Sequence, residues 1–124
     1  MEKECTSFEL TLNDDEYLAS VFFEFSDGYF TCCRNILEDD IIYYEMNDQA
    51  NSIYSNDCQY CIDNNSIRFN FAELDSNELK CDAVLIIRYK MSEQEKELLN
   101  KCLTEIFSCV GEKVGNKRIN LPER

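Results

Sequence analysis

The cysteines of this sequence could do chemistry, and one pair has a spacing typical of metal or redox sites. Cys58 and Cys61 form a C-x-x-C motif, which is half of a structural zinc site. The chain has no histidine to complete it, and the other close pair, Cys32 and Cys33, would point to opposite faces of a strand. No βαβ pattern adjoins Cys58, as a thioredoxin-like site would require. We expect no metal and no other cofactor, and keep a cysteine-dependent metal or redox protein as an alternative.

Carboxylates are the second group of residues that could do chemistry. They form two triplets, at 14–16 and 38–40, and both fall in predicted exposed turns. Acid catalysis needs a buried carboxylate with a raised pKa, which an exposed turn does not provide. The lack of histidine removes the commonest general base, and three isolated glycines form no phosphate-binding loop. We therefore expect a protein that is not an enzyme, with the triplets as a solvated surface, a contact for a basic partner, or both.

The net charge of −13 limits the partners that this protein can bind. Residues 1–90 hold 19 acids and 6 bases, whereas residues 91–124 are balanced. Such a surface repels nucleic acid and anionic membranes, and it attracts basic proteins. We expect no binding to nucleic acid or membrane. Solubility alone is the simpler explanation of the charge.

The cytoplasm is the expected location. The first residues are polar and contain no signal-peptide core, and the longest apolar run, 83–87, is far below the roughly 20 residues of a membrane-spanning helix. In that reducing compartment the cysteines are free thiols, and several suit a core. Cys102 lies on the apolar face of a predicted helix, and either Cys32 or Cys33 must face inward on its strand.

Strands occupy most of the chain before residue 90. Apolar alternation or apolar runs predict strands at 8–12, 17–25, 41–46, 58–62, 66–71 and 83–89, the last buried on both faces. Residues 47–57 are rich in Asn, Asp and Ser and predict a structured turn. Residues 72–80 predict a polar connection with room for one helical turn. Asp27-Gly28 predicts a type I′ hairpin turn. That turn would place Phe25 opposite Phe30 and Phe23 opposite Cys32.

One amphipathic helix closes the predicted fold. Ser92 and Glu95 form a capping box, and a stripe of apolar residues follows at 3–4 spacing until Gly111, a good C-terminal residue. Strands followed by one such helix predict an α+β fold: a mainly antiparallel β-sheet with one C-terminal amphipathic α-helix packed on it. We expect one domain over residues 1–111 and a weakly ordered tail over 112–124.

A polar segment at 45–54 carries a resemblance to a known family. Its side chains suit a braced turn, and a recognition loop is the alternative. This sequence resembles the immunity protein 10 family of bacterial polymorphic toxin systems in four segments. They are the E-x-N-D-Q-x-N-S-x-Y stretch, the Asp-Asp-Glu-Tyr-Leu start of a strand at 14–18, the strand at 66–71 and the closing helix near 103–107. The likeness spans most of residues 8–107.

The resemblance implies a cytoplasmic protein that binds a cognate toxin domain and blocks it. Many toxins of such systems are nucleases with basic grooves, which an acidic partner suits. A general acidic protein-binding adaptor or nucleic-acid mimic is the alternative, and the oligomeric state stays open. The predicted partner contacts are Asp14, Asp15, Glu16, Glu38, Asp39, Asp40, Asn47, Asp48, Gln49, Asn51, Ser52 and Tyr54.

Overall fold

The described part of the chain folds into two packed β-sheets with two helices. A computed structural model describes residues 1–13 and 15–114, and these form nine strands and two helices. The elements are β1 Glu2–Glu4, β2 Ser7–Asn13, β3 Leu18–Phe25, β4 Gly28–Asn35, β5 Ile42–Met46, β6 Asp48–Ser55, β7 Gln59–Ile62, β8 Ser66–Asn70, α1 Glu73–Leu79, β9 Val84–Arg88 and α2 Glu93–Val114.

Five consecutive strands form an antiparallel meander in the order β2-β3-β4-β5-β6. Alternate side chains of these strands point to one face, which is the inner face of the sheet. The strands predicted at 8–12, 17–25 and 41–46 are confirmed as β2, β3 and β5. Buried on the inner face are Ala19, Val21, Phe23, Phe25, Phe30, Cys32, Ile42, Tyr44 and Met46.

The second sheet has four strands in the order β1-β9-β8-β7. β1 lies parallel to β9, with Glu2 paired to Ile86, and the polar sequence of β1 had predicted no strand. β9 was predicted to be buried on both faces, and this is wrong. Leu85 and Ile87 are fully buried, but Val84 and Ile86 are partly exposed because they point away from the core.

The core lies between the two sheets and α2. The Phe30 ring of the five-stranded sheet lies 4.9 Å from the Phe69 ring of the other sheet, centroid to centroid. Helix α2 packs on β2, β3 and β4. Its buried side chains are Leu99, Cys102, Leu103, Ile106 and Phe107. The predicted fold class, a mainly antiparallel α+β arrangement with a packed C-terminal helix, is confirmed.

Helix α2 begins as the sequence predicts but ends later. The Glu95 N–H donates to Ser92 Oγ at 3.1 Å and the Ser92 N–H donates to Glu95 Oε1 at 2.8 Å, so the capping box is present. The helix continues through Gly111 to Val114, so the predicted end at Gly111 is wrong. A glycine inside a helix costs about 1 kcal/mol and does not by itself end it. The rest of the predicted tail, residues 115–124, lies outside the described residues.

Two connections predicted to be largely irregular are regular structure. Most of the predicted turn at 47–57 is strand β6, because its main chain pairs with β5 from Ile42 to Met46. The connection at 72–80 contains α1, which packs on β5 and β6. Ser55 Oγ donates to Asp75 Oδ2 at 2.6 Å and joins β6 to this helix. None of the helices in the described part of the chain has the length and apolar character needed to cross a bilayer.

The β3–β4 hairpin has a register that differs from the predicted one by two residues. Phe25 pairs with Gly28, so the turn residues are Ser26 and Asp27, and Phe25 does not lie opposite Phe30. A shift of two residues leaves every side chain on its predicted face, because the side-chain period of a strand is two. The pairs farther along are Phe23 with Phe30 and Val21 with Cys32.

The turn of the neighbouring hairpin explains this register. Asn47 connects β5 to β6 in a left-handed conformation, with φ at 68°. Its Oδ1 accepts the Tyr29 N–H at 2.9 Å. The same Oδ1 would lie 1.9 Å from a Cβ atom built on Gly28. The residue directly after the two turn residues must therefore be Gly28, because a side chain at this position would collide with the Asn47 amide.

Substitution of Gly28 by alanine should test that contact. We expect Gly28→Ala to lower the free energy of unfolding by roughly 1–2 kcal/mol, because the Asn47 amide must leave the Tyr29 N–H. Asn47→Gly keeps the left-handed backbone and removes the colliding side chain. Chemical denaturation of both single variants and the double variant measures the coupling. Additive effects would show that the contact does not hold the turn.

Candidate protein-binding surface

The outer face of the five-stranded sheet is open to solvent over the described residues, because both helices and the second sheet pack on its inner face. Side chains of all five strands line it in register, for example Glu9, Phe22, Thr31, Glu45 and Ser52 in one row. We call this surface the open face. It comprises Ser7, Glu9, Thr11, Ser20, Phe22, Glu24, Tyr29, Thr31, Cys33, Tyr43, Glu45, Ser52 and Tyr54.

Two tyrosines of the open face bind one carboxylate, and each tyrosine packs against a further aromatic ring. The hydroxyls of Tyr29 and Tyr43 both donate hydrogen bonds to Glu45, one to each carboxylate oxygen. The Tyr29 ring stacks on Phe22 at 5.5 Å, and the Tyr43 ring lies 5.2 Å from that of Tyr54. We call these five residues the tyrosine–glutamate cluster. Tyr54 was among the predicted contacts, and the other four were missed, although large aromatics at solvent-facing strand positions were a usable signal.

The shared carboxylate changes the acidity of both phenols. Its hydrogen bond raises the pKa of Tyr29 to about 12, with further contributions from burial and from the Glu45 charge. The hydrogen bond from Tyr43 to the other oxygen of Glu45 likewise raises the pKa of Tyr43. Both hydroxyls therefore remain protonated donors at neutral pH and hold Glu45 in a fixed position.

Glu45→Gln should return these two pKa values toward their ordinary value near 10. A phenol whose pKa is raised by folding stabilises the protein below its unfolded pKa, and this stabilisation is lost as pH rises through the folded pKa. The free energy of unfolding should therefore fall between about pH 10 and pH 12, and less steeply in the variant. NMR titration of ring-labelled tyrosines measures each pKa. Tyr89 is the internal control, since burial and Asp63 raise its pKa, and an equal change there would contradict the assignment.

The structure brings the described residues of the two acidic triplets together at one end of the five-stranded sheet. The Asn13 side-chain oxygen accepts the N–H groups of Asp15 and Glu16, at 3.0 and 3.1 Å. Asn35 braces the other loop in the same way through Leu37 and Glu38. The loops are joined by a hydrogen bond from the Ile36 N–H to the Tyr17 carbonyl at 2.6 Å. We call Asp15, Glu16, Glu38, Asp39 and Asp40, all exposed, the acidic end; Asp14 lies outside the described residues.

The polar segment at 47–52 lies at the opposite end of the sheet, and its side chains brace the turn into β6. Asp48 Oδ1 accepts the Ala50 N–H at 2.8 Å. Asn51 donates to the Met46 carbonyl at 3.1 Å, and Ser52 Oγ donates to the Gln49 carbonyl at 2.9 Å. With the Asn47 contact to Tyr29, these bonds give four of the predicted contact residues a structural role. The side chain of Gln49 is exposed, as is that of Tyr54 on the open face.

Negative charge is concentrated on the five-stranded sheet. Residues 7–57 contain twelve acids and one base, Arg34. Arg34 is only 5% exposed, and its guanidinium donates to main-chain carbonyls of α2 and of the 36–39 loop. By contrast, residues 58–90 hold five acids and four bases, with Arg68 and Arg88 exposed. The excess charge predicted for residues 1–90 thus belongs almost entirely to one sheet.

The C-x-x-C pair does not form a joint site. Cys58 is fully buried, and burial raises the pKa of its thiol, whereas Cys61 is exposed on β7. A raised pKa keeps the thiol protonated, and the thiolate is the form that binds metal or attacks a substrate. Cys32 faces inward and Cys33 outward, and Cys102 is buried, as predicted. No three potential ligands among His, Cys, Asp and Glu come together in the described residues.

A pocket of about 250 Å³ lies between the β7–β8 turn and the start of α2. This volume is below the roughly 300 Å³ at which small-molecule sites begin. Lys96 in its wall already donates to Asn64 Oδ1 at 2.9 Å and lies 3.5 Å from Glu93. The lining residues are Ile62, Asp63, Asn64, Tyr89, Glu93, Lys96, Glu97 and Asn100.

Comparisons with models of known protein families, with curated proteins and with solved structures find no match to this chain. The fold and the surface define an α+β domain in which one sheet carries an open, acidic and aromatic face.

Proposed function

We propose that this chain is a non-catalytic immunity protein that binds and neutralises a cognate, basic bacterial toxin domain in the cytoplasm. The observation that carries the proposal is the charge of the five-stranded sheet: twelve acids, with a single arginine that is buried. A surface of this kind attracts a basic partner and speeds its association.

The geometry of the open face supports binding to a protein rather than to a small molecule. A sheet of regular strands presents its side chains in fixed positions, so little conformational freedom is lost when a partner binds. Tyrosine is enriched among the residues that dominate binding energy at interfaces. Tyr54 is 66% exposed and supplies such an anchor. A nuclease toxin, with a basic groove for its substrate, would match this combination of carboxylates and aromatic rings.

The proposal predicts that a gene for a toxin-like domain adjoins the gene for this chain, and co-expression of the two products tests it. We expect the chain to restore growth of bacteria that express this toxin domain, and to form a complex with it that survives purification. A toxin that kills equally well with and without the chain, and does not bind it, would refute the proposal.

A general acidic adaptor or nucleic-acid mimic is a second candidate, favoured by the same segregation of charge. Such a protein would hold several basic proteins through long-range attraction, which salt screens. Capture from a bacterial lysate at low and high salt separates the two candidates. One partner retained at high salt supports an immunity protein, whereas several partners released together support the adaptor.

A further inference from the structure

We infer that the tyrosine–glutamate cluster is a receptor for one arginine side chain of a protein partner, and that the open face is the docking surface around it. The inference rests on the proposed function only in taking the toxin as that partner. The receptor itself is defined by Glu45, by the two tyrosines that bind it and by the two rings packed against those tyrosines.

The carboxylate of Glu45 is positioned but not saturated. Each of its oxygens accepts one hydrogen bond from a tyrosine hydroxyl, Oε2 from Tyr29 and Oε1 from Tyr43. A carboxylate has about four acceptor positions, so roughly two remain. A guanidinium has five N–H donors and no acceptor, and its planar fork matches the two oxygens of a carboxylate. The fixed orientation of Glu45 therefore suits arginine.

Aromatic rings flank the carboxylate on both sides. Phe22 and Tyr29 form one pair, and Tyr43 and Tyr54 form the other. In the register of the sheet, Thr31 on β4 lies between Phe22 and Glu45, and Cys33 on the same strand lies beside Tyr43. Both side chains are smaller than the neighbouring rings. The Tyr54 ring is 66% exposed, and a flat cation can stack on such a ring, as arginine does more readily than lysine.

Charge around the cluster selects against other occupants. Glu9 and Glu24 share the open face with Glu45, and no base of β2 to β6 reaches it, because Arg34 is buried on the other side. An acidic ligand would be repelled, and a second copy of this chain would bring the same carboxylates against themselves. A cationic side chain of a different protein is the occupant that this charge fits.

Titration with N-acetyl-arginine amide, followed by NMR, tests the receptor without any toxin. We expect shift changes centred on Tyr29, Tyr43, Glu45 and Tyr54, and weaker binding of N-acetyl-lysine amide. Glu45→Gln should weaken arginine binding by about tenfold or more. Glu78→Gln, which removes the same charge from α1, should leave it unchanged. Shifts spread over the whole acidic surface, or equal binding of the two cations, would overturn the inference.

Binding of the toxin domain then separates this inference from the proposed function. We expect Glu45→Gln and Tyr54→Ala each to weaken the complex by about tenfold or more, whereas Leu74→Ala, at a side chain 78% exposed on α1, has little effect. If the wild-type chain binds the toxin and both cluster variants bind equally well, the receptor is wrong and the immunity function stands. If the wild-type chain does not bind, the function fails, and the arginine titration alone decides the receptor.

Discussion

Replacement of Arg34 by methionine is expected to lower the free energy of unfolding by about 3 kcal/mol and the melting temperature by roughly 10 °C. The guanidinium donates to the Ile106 carbonyl at 2.9 Å, to the Asp39 carbonyl at 2.7 Å and to Ser108 Oγ at 2.6 Å. These bonds cross from β4 to α2 and hold the loop of the second acidic triplet. Methionine fills similar space but leaves the buried acceptors without a donor, which destabilises more than the loss of the bonds alone.

Thermal and chemical denaturation measure this effect, with two variants as controls. Arg68→Met removes an exposed arginine from β8 and should change stability by less than about 0.5 kcal/mol. Arg34→Lys keeps the charge but has three donors in place of five, so we expect an intermediate loss. Hydrogen exchange should also accelerate in residues 36–39. Stability of Arg34→Met within about 1 kcal/mol of the wild-type value would show that water satisfies these carbonyls.

The sequence predicted β2, β3 and β5 of the five-stranded sheet because their inner faces follow a period of two. Phe23 and Phe25 face the core as expected, although the hairpin register was wrong by two residues. Alternation cannot distinguish registers that differ by two, since both bury the same side chains. The register depends on Gly28 and Asn47, which are 19 residues apart, and no local pattern contains that contact.

Elements that depend on pairing more than on composition were missed. Residues 2–4 are polar and show no strand signal, yet β1 forms because its main chain pairs with the edge of β9. The side chains of Glu2 and Arg88 add an ion pair between the two strands. Strand β6 was predicted as a turn, because its Asn, Asp and Ser residues favour turns. These side chains do brace the turn at Asn47, and the strand continues from it because β5 supplies a ladder. Tertiary pairing overrides local preference in both elements.

The candidate surface was only partly predictable for a related reason. The acidic triplets are visible as runs of charge, but their meeting at one end of a sheet follows from the meander order of β2 to β6. Tyr29 lies on β4, whereas Tyr43 and Glu45 lie on β5. Only the register of β4 on β5 brings both tyrosine hydroxyls to the Glu45 carboxylate. The sequence shows which residues are charged or aromatic, and the pairing of strands decides which of them act together.

Neutralising the acidic end should slow association with the toxin far more than it speeds dissociation. We expect a variant with Asp15, Glu16, Glu38, Asp39 and Asp40 replaced by their amides to associate about 10- to 100-fold more slowly at low salt. Such charges act before contact, through a long-range field, whereas bound-state contacts mainly set the dissociation rate. Stopped-flow mixing at several salt concentrations measures this effect, which should shrink as salt rises.

The acidic end can be neutralised without loss of the fold, because its loops are held by Asn13, by Asn35 and by main-chain bonds. A matched control replaces five exposed acids elsewhere, namely Glu73, Glu78, Asp82, Glu93 and Glu97, and changes the net charge equally. If only total charge mattered, both variants would slow equally. If the position of the charges matters, the control retains most of the wild-type rate, because none of its acids belongs to the strands or loops of the five-stranded sheet. The comparison thus shows whether the twelve carboxylates of residues 7–57 guide a partner toward the open face or merely keep the protein soluble.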